Sequence, residues 1–381
     1  MLLQFNATNF GAFRDTFSLN MTPAKITEFP DSLITDTDDV SAIPLAGFYG
    51  ANGCGKSTVL KALHYLSRCI LSPSQALPED HRFAFGHEAA DAVTEFEVLF
   101  RAGRMEYDYQ LRLLPGTVLE ENLFARSFSD PSYDVVFDRD GEGVYLGALV
   151  DGVDVSSLED DTPMLAFLIQ QTRLSWLPAV SGFFEGISWL SCSAISEDVL
   201  TPYLSDTRAM KKLTGLIARL DLSVTDFYRE DGEIFCVHTV GKSSYALPLS
   251  EEGSGVRQLL LLCAVIQQKL ASGGILLADD LYLYLHPRAL RFLLSLFASR
   301  RYNRAGAQLL FTSYDMPTMH NSLLRRDEIW LVEKGADQCA SLYTLALFLK
   351  ENGEKVRKDE IYYKQFLEGR YGAAPRIDEV K

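Results

Sequence analysis

Gly50-Ala51-Asn52-Gly53-Cys54-Gly55-Lys56-Ser57-Thr58 follows directly on the apolar run 43–49, and the reading of this stretch governs everything else in the chain. The spacing G-x-x-x-x-G-K-S is that of a phosphate cradle. Its glycines let successive backbone N–H groups turn inward around phosphate oxygens, Lys56 reaches the β and γ phosphates, and the Ser57 hydroxyl is available to magnesium. Residues 60–66 continue at helical spacing, so the phosphates would lie at a helix N-terminus, whose partial positive charge favours them. Strand, loop and helix in that order imply a nucleoside triphosphate as ligand. Its expected contacts are Gly50, Ala51, Asn52, Gly53, Cys54, Gly55, Lys56, Ser57 and Thr58.

The 381 residues are enough for two or three domains, or for one elaborated domain with a large core. Hydrophobic residues make up 47% of the chain without an unbroken run of about 18, so no membrane span or membrane partner is expected. Met1-Leu2-Leu3-Gln4-Phe5-Asn6 has no basic segment ahead of an apolar one, which points to a cytoplasmic location. The six cysteines form no C-x-x-C pair and the six histidines no ligand spacing with them, so neither zinc nor a disulfide framework is suggested. Cys54 reads as a small filler or, if exposed, as a thiol open to alkylation. A net charge of −15 argues against broad attachment to nucleic acid, though not against a local basic groove. Arg288, Arg291, Arg300, Arg301 and Arg304 form one basic set, and Arg357, Lys358, Lys364 and Arg370 another; solvated helix faces are the plain reading of both.

Along the chain, residues 2–20 read as a hairpin and the acidic, Pro/Thr/Asp-rich 22–42 as a loop over the nucleotide entrance. Segments 94–100, 106–114 and 135–145 alternate or are β-branched and aromatic, which predicts a β-rich lobe. From 161 to 220 the spacing is helical, with Trp176, Trp189, Met210 and Leu216, and predicts an inserted helical subdomain. Segments 274–278 and 308–313 are short buried strands flanking a helix at 287–300, the pattern of parallel strands in a three-layer α/β sheet. The expected division is 1–75 (hairpin and phosphate loop), 76–155 (β-rich lobe), 156–245 (helical lobe) and 246–381 (return to the nucleotide core). An acidic residue ending a buried strand is what magnesium needs beside a phosphate loop, so Asp279 joins Ser57 as a metal ligand. Asp280 takes the place of the carboxylate that polarises the attacking water.

Leu276-Leu277-Ala278-Asp279-Asp280-Leu281-Tyr282-Leu283-Tyr284-Leu285-His286-Pro287 resembles the Walker B and D-loop stretch of ABC-like AAA ATPases, relatives of the SMC and RecF heads and of the ATPase part of OLD nucleases. Residues 1–19 resemble the opening strand pair of that family, and Glu252-Gly253-Ser254-Gly255-Val256-Arg257-Gln258-Leu259 its signature segment. Residues 325–334 and 367–375 look like the closing elements of its abortive-infection subgroup. The resemblance implies a P-loop NTPase of the ABC-ATPase-head type, with a three-layer α/β core, an antiparallel β-rich lobe and an inserted helical subdomain. It also implies ATP and Mg2+ as cofactors and a homodimer, or higher assembly, closed around nucleotide. In it the phosphate loop of one protomer faces the signature segment of the other, where Ser254 and Gly255 would touch nucleotide.

Three positions depart from the family pattern. Asp280 replaces the usual glutamate and reaches about 1.5 Å less far. Tyr314 stands where relatives carry a switch histidine, and a phenol with an ordinary pKa of about 10 does not cycle protons easily. Gly253 falls on the signature serine, with Ser254 and Ser250 close by. With Lys56, Asp280 and Tyr314 as the catalytic set, the expected enzyme is an ATPase with slow hydrolysis and intact binding. The glutamine that lines sites of this kind has two candidates, Gln75 and Gln110. Three functions compete: an ATPase subunit of a prokaryotic anti-phage or abortive-infection system holding an effector such as a nuclease or toxin; a RecF/SMC-like DNA-repair ATPase; and an ATP-binding scaffold with little turnover. About 70 residues follow Thr312, short for an appended nuclease, so the effector is expected to be separately encoded.

Overall fold

The computed structural model describes residues 1–86, 92–127, 130, 132–220, 223–350 and 353–375. β1 (Leu2–Thr8) and β2 (Phe17–Asn20) form the expected antiparallel hairpin. A two-residue ladder of β3 (Ile34–Thr35) and β4 (Ser41–Ala42) precedes β5 (Leu45–Tyr49), α1 (Lys56–Leu71) and α2 (Pro73–Ala76). Next come β6 (Thr94–Ala102), β7 (Met105–Leu114), β8 (Thr117–Ser127), β9 (Asp134–Asp140) and β10 (Gly143–Leu146). They continue the hairpin into one seven-stranded antiparallel sheet, in the order β10-β9-β8-β7-β6-β1-β2.

Helices α3 (Met164–Gln171) and α4 (Leu177–Glu185) lead to β11 (Ile187–Ser191), and α5 (Thr201–Ser205) and α6 (Thr207–Ile217) follow. A meander of β12 (Val224–Glu230), β13 (Glu233–Val240) and β14 (Ser243–Pro248) precedes α7 (Ser254–Ser272) and β15 (Ile275–Asp279). The chain closes with α8 (Pro287–Phe297), β16 (Gln308–Thr312), β17 (Ile329–Lys334), β18 (Ala340–Thr344) and α9 (Tyr362–Leu367). The second sheet runs β11-β15-β16-β5-β17-β18, parallel except for β18.

The parallel strands are short and apolar because both faces are covered. Ala46, Phe48, Leu277 and Leu310 face a core shared with α1 and the antiparallel sheet. Leu45, Leu276, Leu309 and Phe311 face a second core made with α6, α7 and α8. The result is a three-layer α/β core with an antiparallel lobe and helices inserted between β10 and α7.

Three segments differ from the sequence reading. Residues 22–42 do not cover the nucleotide entrance: Ala24 N–H bonds Asp327 at 2.8 Å, Arg326 pairs with Glu28 at 2.6 Å, and Arg101 pairs with Asp36 at 2.9 Å. These contacts lie ahead of β5 and β17, at the end of the sheet opposite the phosphate loop, because the segment enters the N-terminal end of the strand whose other end carries that loop. The stretch 156–245 is only partly helical. Trp189 lies in β11, an edge strand beside β15, and β12 to β14 follow α6. Finally, β8 is an 11-residue strand that the alternation test passed over, because Glu120 and Glu121 sit at its centre.

Candidate functional site

The phosphate loop leaves β5 at Gly50, where a Cβ would stand 2.2 Å from the Val332 carbonyl oxygen and 2.8 Å from Cys54 Sγ, so only glycine fits. Lys56 opens α1 and is 5% exposed. Its ammonium donates to Gly50 O at 3.0 Å and Ala51 O at 2.8 Å and lies 3.9 Å from the centre of the Tyr314 ring. Burial pushes its pKa down, with Cys54, Asp280 and Asp279 opposing. The charge is therefore held by carbonyls and a ring face, the positions it must leave to meet phosphate oxygens.

Asp279 ends β15 and Thr312 ends β16, the strand between β15 and β5. Asp279 Oδ1 accepts from Ser57 Oγ at 2.8 Å and from Thr312 Oγ1 at 2.7 Å. The same threonine oxygen accepts from the Asp280 N–H at 2.8 Å, so one hydroxyl fixes both aspartates. Sequence reading missed Thr312; its position just ahead of Ser313-Tyr314, at the end of a predicted strand beside the Asp279 strand, was the available signal.

Asp280 has φ +55, a left-handed conformation that costs a non-glycine residue roughly 1 kcal/mol. Burial, and then Asp279, raises the pKa of its carboxyl. With Ala12, Gly53, Gly55, Lys56, Ser57, Thr58 and Tyr314 it lines a cavity of about 230 Å³. Burial likewise raises the Tyr314 pKa, so the residue stays a phenol, its ring edge-to-face with Tyr282 at 5.5 Å.

Ser57 Oγ and Asp279 Oδ1 are hard oxygen donors 2.8 Å apart, and no group of three His, Cys, Asp or Glu ligands occurs among the described residues. Such a pair suits magnesium, which keeps several waters and takes the rest of its shell from phosphate.

Ser254 and Gly255 open α7, and no residue of the signature segment lines the phosphate cavity of the same protomer. The segment is still tied to that site: Gln258 Nε2 donates to Cys192 O at 2.5 Å, and Cys192 N–H to Asp279 O at 3.3 Å. Neither Gln75 nor Gln110 reaches the cavity; Gln110 instead bonds Asp108 at 3.2 Å on the antiparallel sheet. Cys54 is 2% exposed with its pKa raised by burial, which fits the filler reading and removes the exposed-thiol one. The closing element 367–375 seats against the phosphate loop, where Ala51 N–H donates to Ala373 O at 3.1 Å.

The parallel sheet, the loop at the end of β5, Thr312 one strand away and the two aspartates two strands away define a P-loop ATPase built like an ABC-type head. A family model described as "AAA domain, putative AbiEii toxin, Type IV TA system" matches residues 45–143 and 165–316. The chain belongs to that family. Among solved structures it is similar to an SMC head crystallised with the C-winged helix domain of ScpA, at 13% identity and a TM-score of 0.51, over 93% of this chain and 99% of that one. That likeness is one of fold. No curated protein matches the sequence. No helix among the described residues is long and apolar enough to cross a membrane.

Proposed function

We propose that the chain binds ATP with magnesium in the cavity between Lys56 and Asp280 and hydrolyses it slowly. It acts as a nucleotide-gated homodimer that controls a separately encoded effector of a prokaryotic anti-phage or abortive-infection system. The observation that carries the reading is the convergence of Lys56, Ser57 and Asp280 on one cavity at the C-terminal ends of β5 and β15, with Asp279 hydrogen-bonded to Ser57 at 2.8 Å. Magnesium bound there supplies charge neutralisation on the β and γ phosphates. Lys56 moves from the loop carbonyls to the phosphates, Ser57 and Asp279 hold the metal, and Asp280 orients the attacking water. Slow turnover follows from the short, left-handed Asp280 and from a Tyr314 ring that competes with phosphate for Lys56.

Ser254 and Gly255 lie outside their own cavity, so a second copy would bring them to the γ phosphate. ATP would then join two copies and hydrolysis release them. The SMC head seen with a domain of another protein supports a separate partner for a head of this fold. Sedimentation with ATP and magnesium tests the gate, using Asp280→Asn to prevent turnover. A dimer is expected with ATP and a monomer with ADP; an Asp280→Asn chain that stays monomeric with bound ATP refutes the gate. The Lys56 to Tyr314 stacking also favours a second reading, a scaffold that binds ATP without turnover. Phosphate release that Asp280→Asn abolishes excludes it.

A further inference from the structure

At the end of the parallel sheet opposite the phosphate loop, a cleft of about 860 Å³ opens between α6, the C-terminal end of α7 and the turn after α8. Five cations line it, Lys211, Lys212, Arg219, Arg301 and Arg304, and no Asp or Glu does. In a chain of net charge −15 that concentration is anomalous. None of the five makes an ion pair among the described residues; Arg219 instead bonds the Tyr302 hydroxyl and, with Arg301, flanks the Tyr302 ring. The carbonyl ends of α7 and α8 account for a cation or two here, not for five.

Below this rim the floor is carbon, supplied by Leu216, Leu270 and Leu296. The occupant that answers both features carries apolar groups for the floor and carboxylates for the rim.

We propose that this cleft docks an acidic amphipathic segment of a partner protein. Nucleic acid fits less well: its phosphates would ride on the rim and leave the apolar floor uncovered, and the Tyr302 ring that could stack a base is already engaged by Arg219 and Arg301. An amphipathic helix lays its apolar face into such a groove and keeps its charges at the walls. The cleft sits at the far end of α7 from Ser254, so the segment and a nucleotide-bridged second copy can bind together. The 19-residue helix between them spans about 28 Å.

The test uses the whole chain and a labelled peptide of about 16 residues, leucine at helical i, i+3, i+4, i+7 spacing and glutamate elsewhere. Its controls are a scrambled peptide of the same composition, a lysine-for-glutamate peptide, and single- and double-stranded oligonucleotides. Fluorescence anisotropy should show salt-sensitive binding of the first peptide alone. Lys212→Glu with Arg301→Glu should weaken it at least about tenfold, while circular dichroism and ATP binding stay unchanged. Equal binding of the scrambled peptide, no loss in the charge-reversed variant, or an oligonucleotide that binds in the peptide's place and is lost in that variant would each overturn the proposal. None of these outcomes bears on the ATP site, because neither substituted residue lines it.

Discussion

Thr312 holds Asp279 and the backbone of Asp280 through one hydroxyl, so its removal tests how far the two carboxylates depend on a neighbour rather than on the strand. Thr312→Val keeps the shape, deletes a donor to one aspartate and an acceptor from the other, and should cost about 1–3 kcal/mol at the site. Phosphate release should fall roughly tenfold or more with ATP affinity nearly unchanged; equal loss of both would mean the threonine serves binding. Lys56→Ala removes the buried ammonium and should abolish measurable ATP binding by calorimetry. Tyr314→His frees Lys56 from a ring 3.9 Å away and restores a titrating group, so turnover should rise several-fold. A constant rate would show the phenol to be neutral. Lys56, Ser57, Asp279 and Asp280 were legible in the sequence because each belongs to a contiguous motif with a chemical reason for its spacing. Thr312 and the Ala373 carbonyl were not, since their roles arise only when β16 pairs beside β15 and the closing segment folds back on Ala51.

Strand β8 and helix α3 are joined by a single carboxylate. Pro163 gives α3 no side-chain cap, and its first N–H groups are met by Glu121 across the core: Leu165 N–H at 2.9 Å, Met164 N–H as well, and the Tyr109 hydroxyl at 2.9 Å. Glu121→Ala strands those donors in a dry interior and should destabilise the protein by about 2–4 kcal/mol. Glu121→Gln, which keeps an acceptor, should lose clearly less, and thermal unfolding of the two variants decides. A fully buried glutamate explains why the alternation rule passed over β8: the residue that breaks the apolar pattern points inward and is satisfied there. The same limit applied at 187–191 and 224–248, where helical spacing before and after hid a strand completed by β15 and a meander packed on α6. Among the elements read correctly, β5, α1, β15, α8 and β16 are buried on both faces or carry a motif at one end, whereas β1, β2, β6 and β7 showed through their alternation.

Across the whole molecule, buried carboxyls and net charge act in the same direction with pH. Burial raises Glu121 to about 7 and Glu328 to about 8 from an ordinary value of 4.5, and raises Asp108 to about 6, with Glu97 adding to the last. The native state then binds these protons more tightly than the unfolded chain. Their contribution is fully present below about pH 4 and is lost as pH rises through 6 to 8. Glu79 and Asp80, held down to about 2 by Arg68 and Arg82, act oppositely, but their contribution is already complete above about pH 5. Self-repulsion of a chain at −15 also grows with pH. Between pH 5.5 and 7.5 the nucleotide-free protein should lose on the order of 3 kcal/mol, a fall of about 4 °C in Tm at the usual unfolding entropy per residue. Differential scanning calorimetry across that window, run on the wild type and on Glu121→Gln with Glu328→Gln, separates the causes. The double variant should show the shallower slope if the buried carboxyls dominate, and a parallel slope if surface repulsion does. A wild-type Tm that instead climbs from pH 5.5 to 7.5 would mean that these carboxyls are ionised within the fold, held by the Met164 and Leu165 amides and Tyr109 at Glu121, the Arg325 backbone N–H at Glu328 and Gln110 at Asp108.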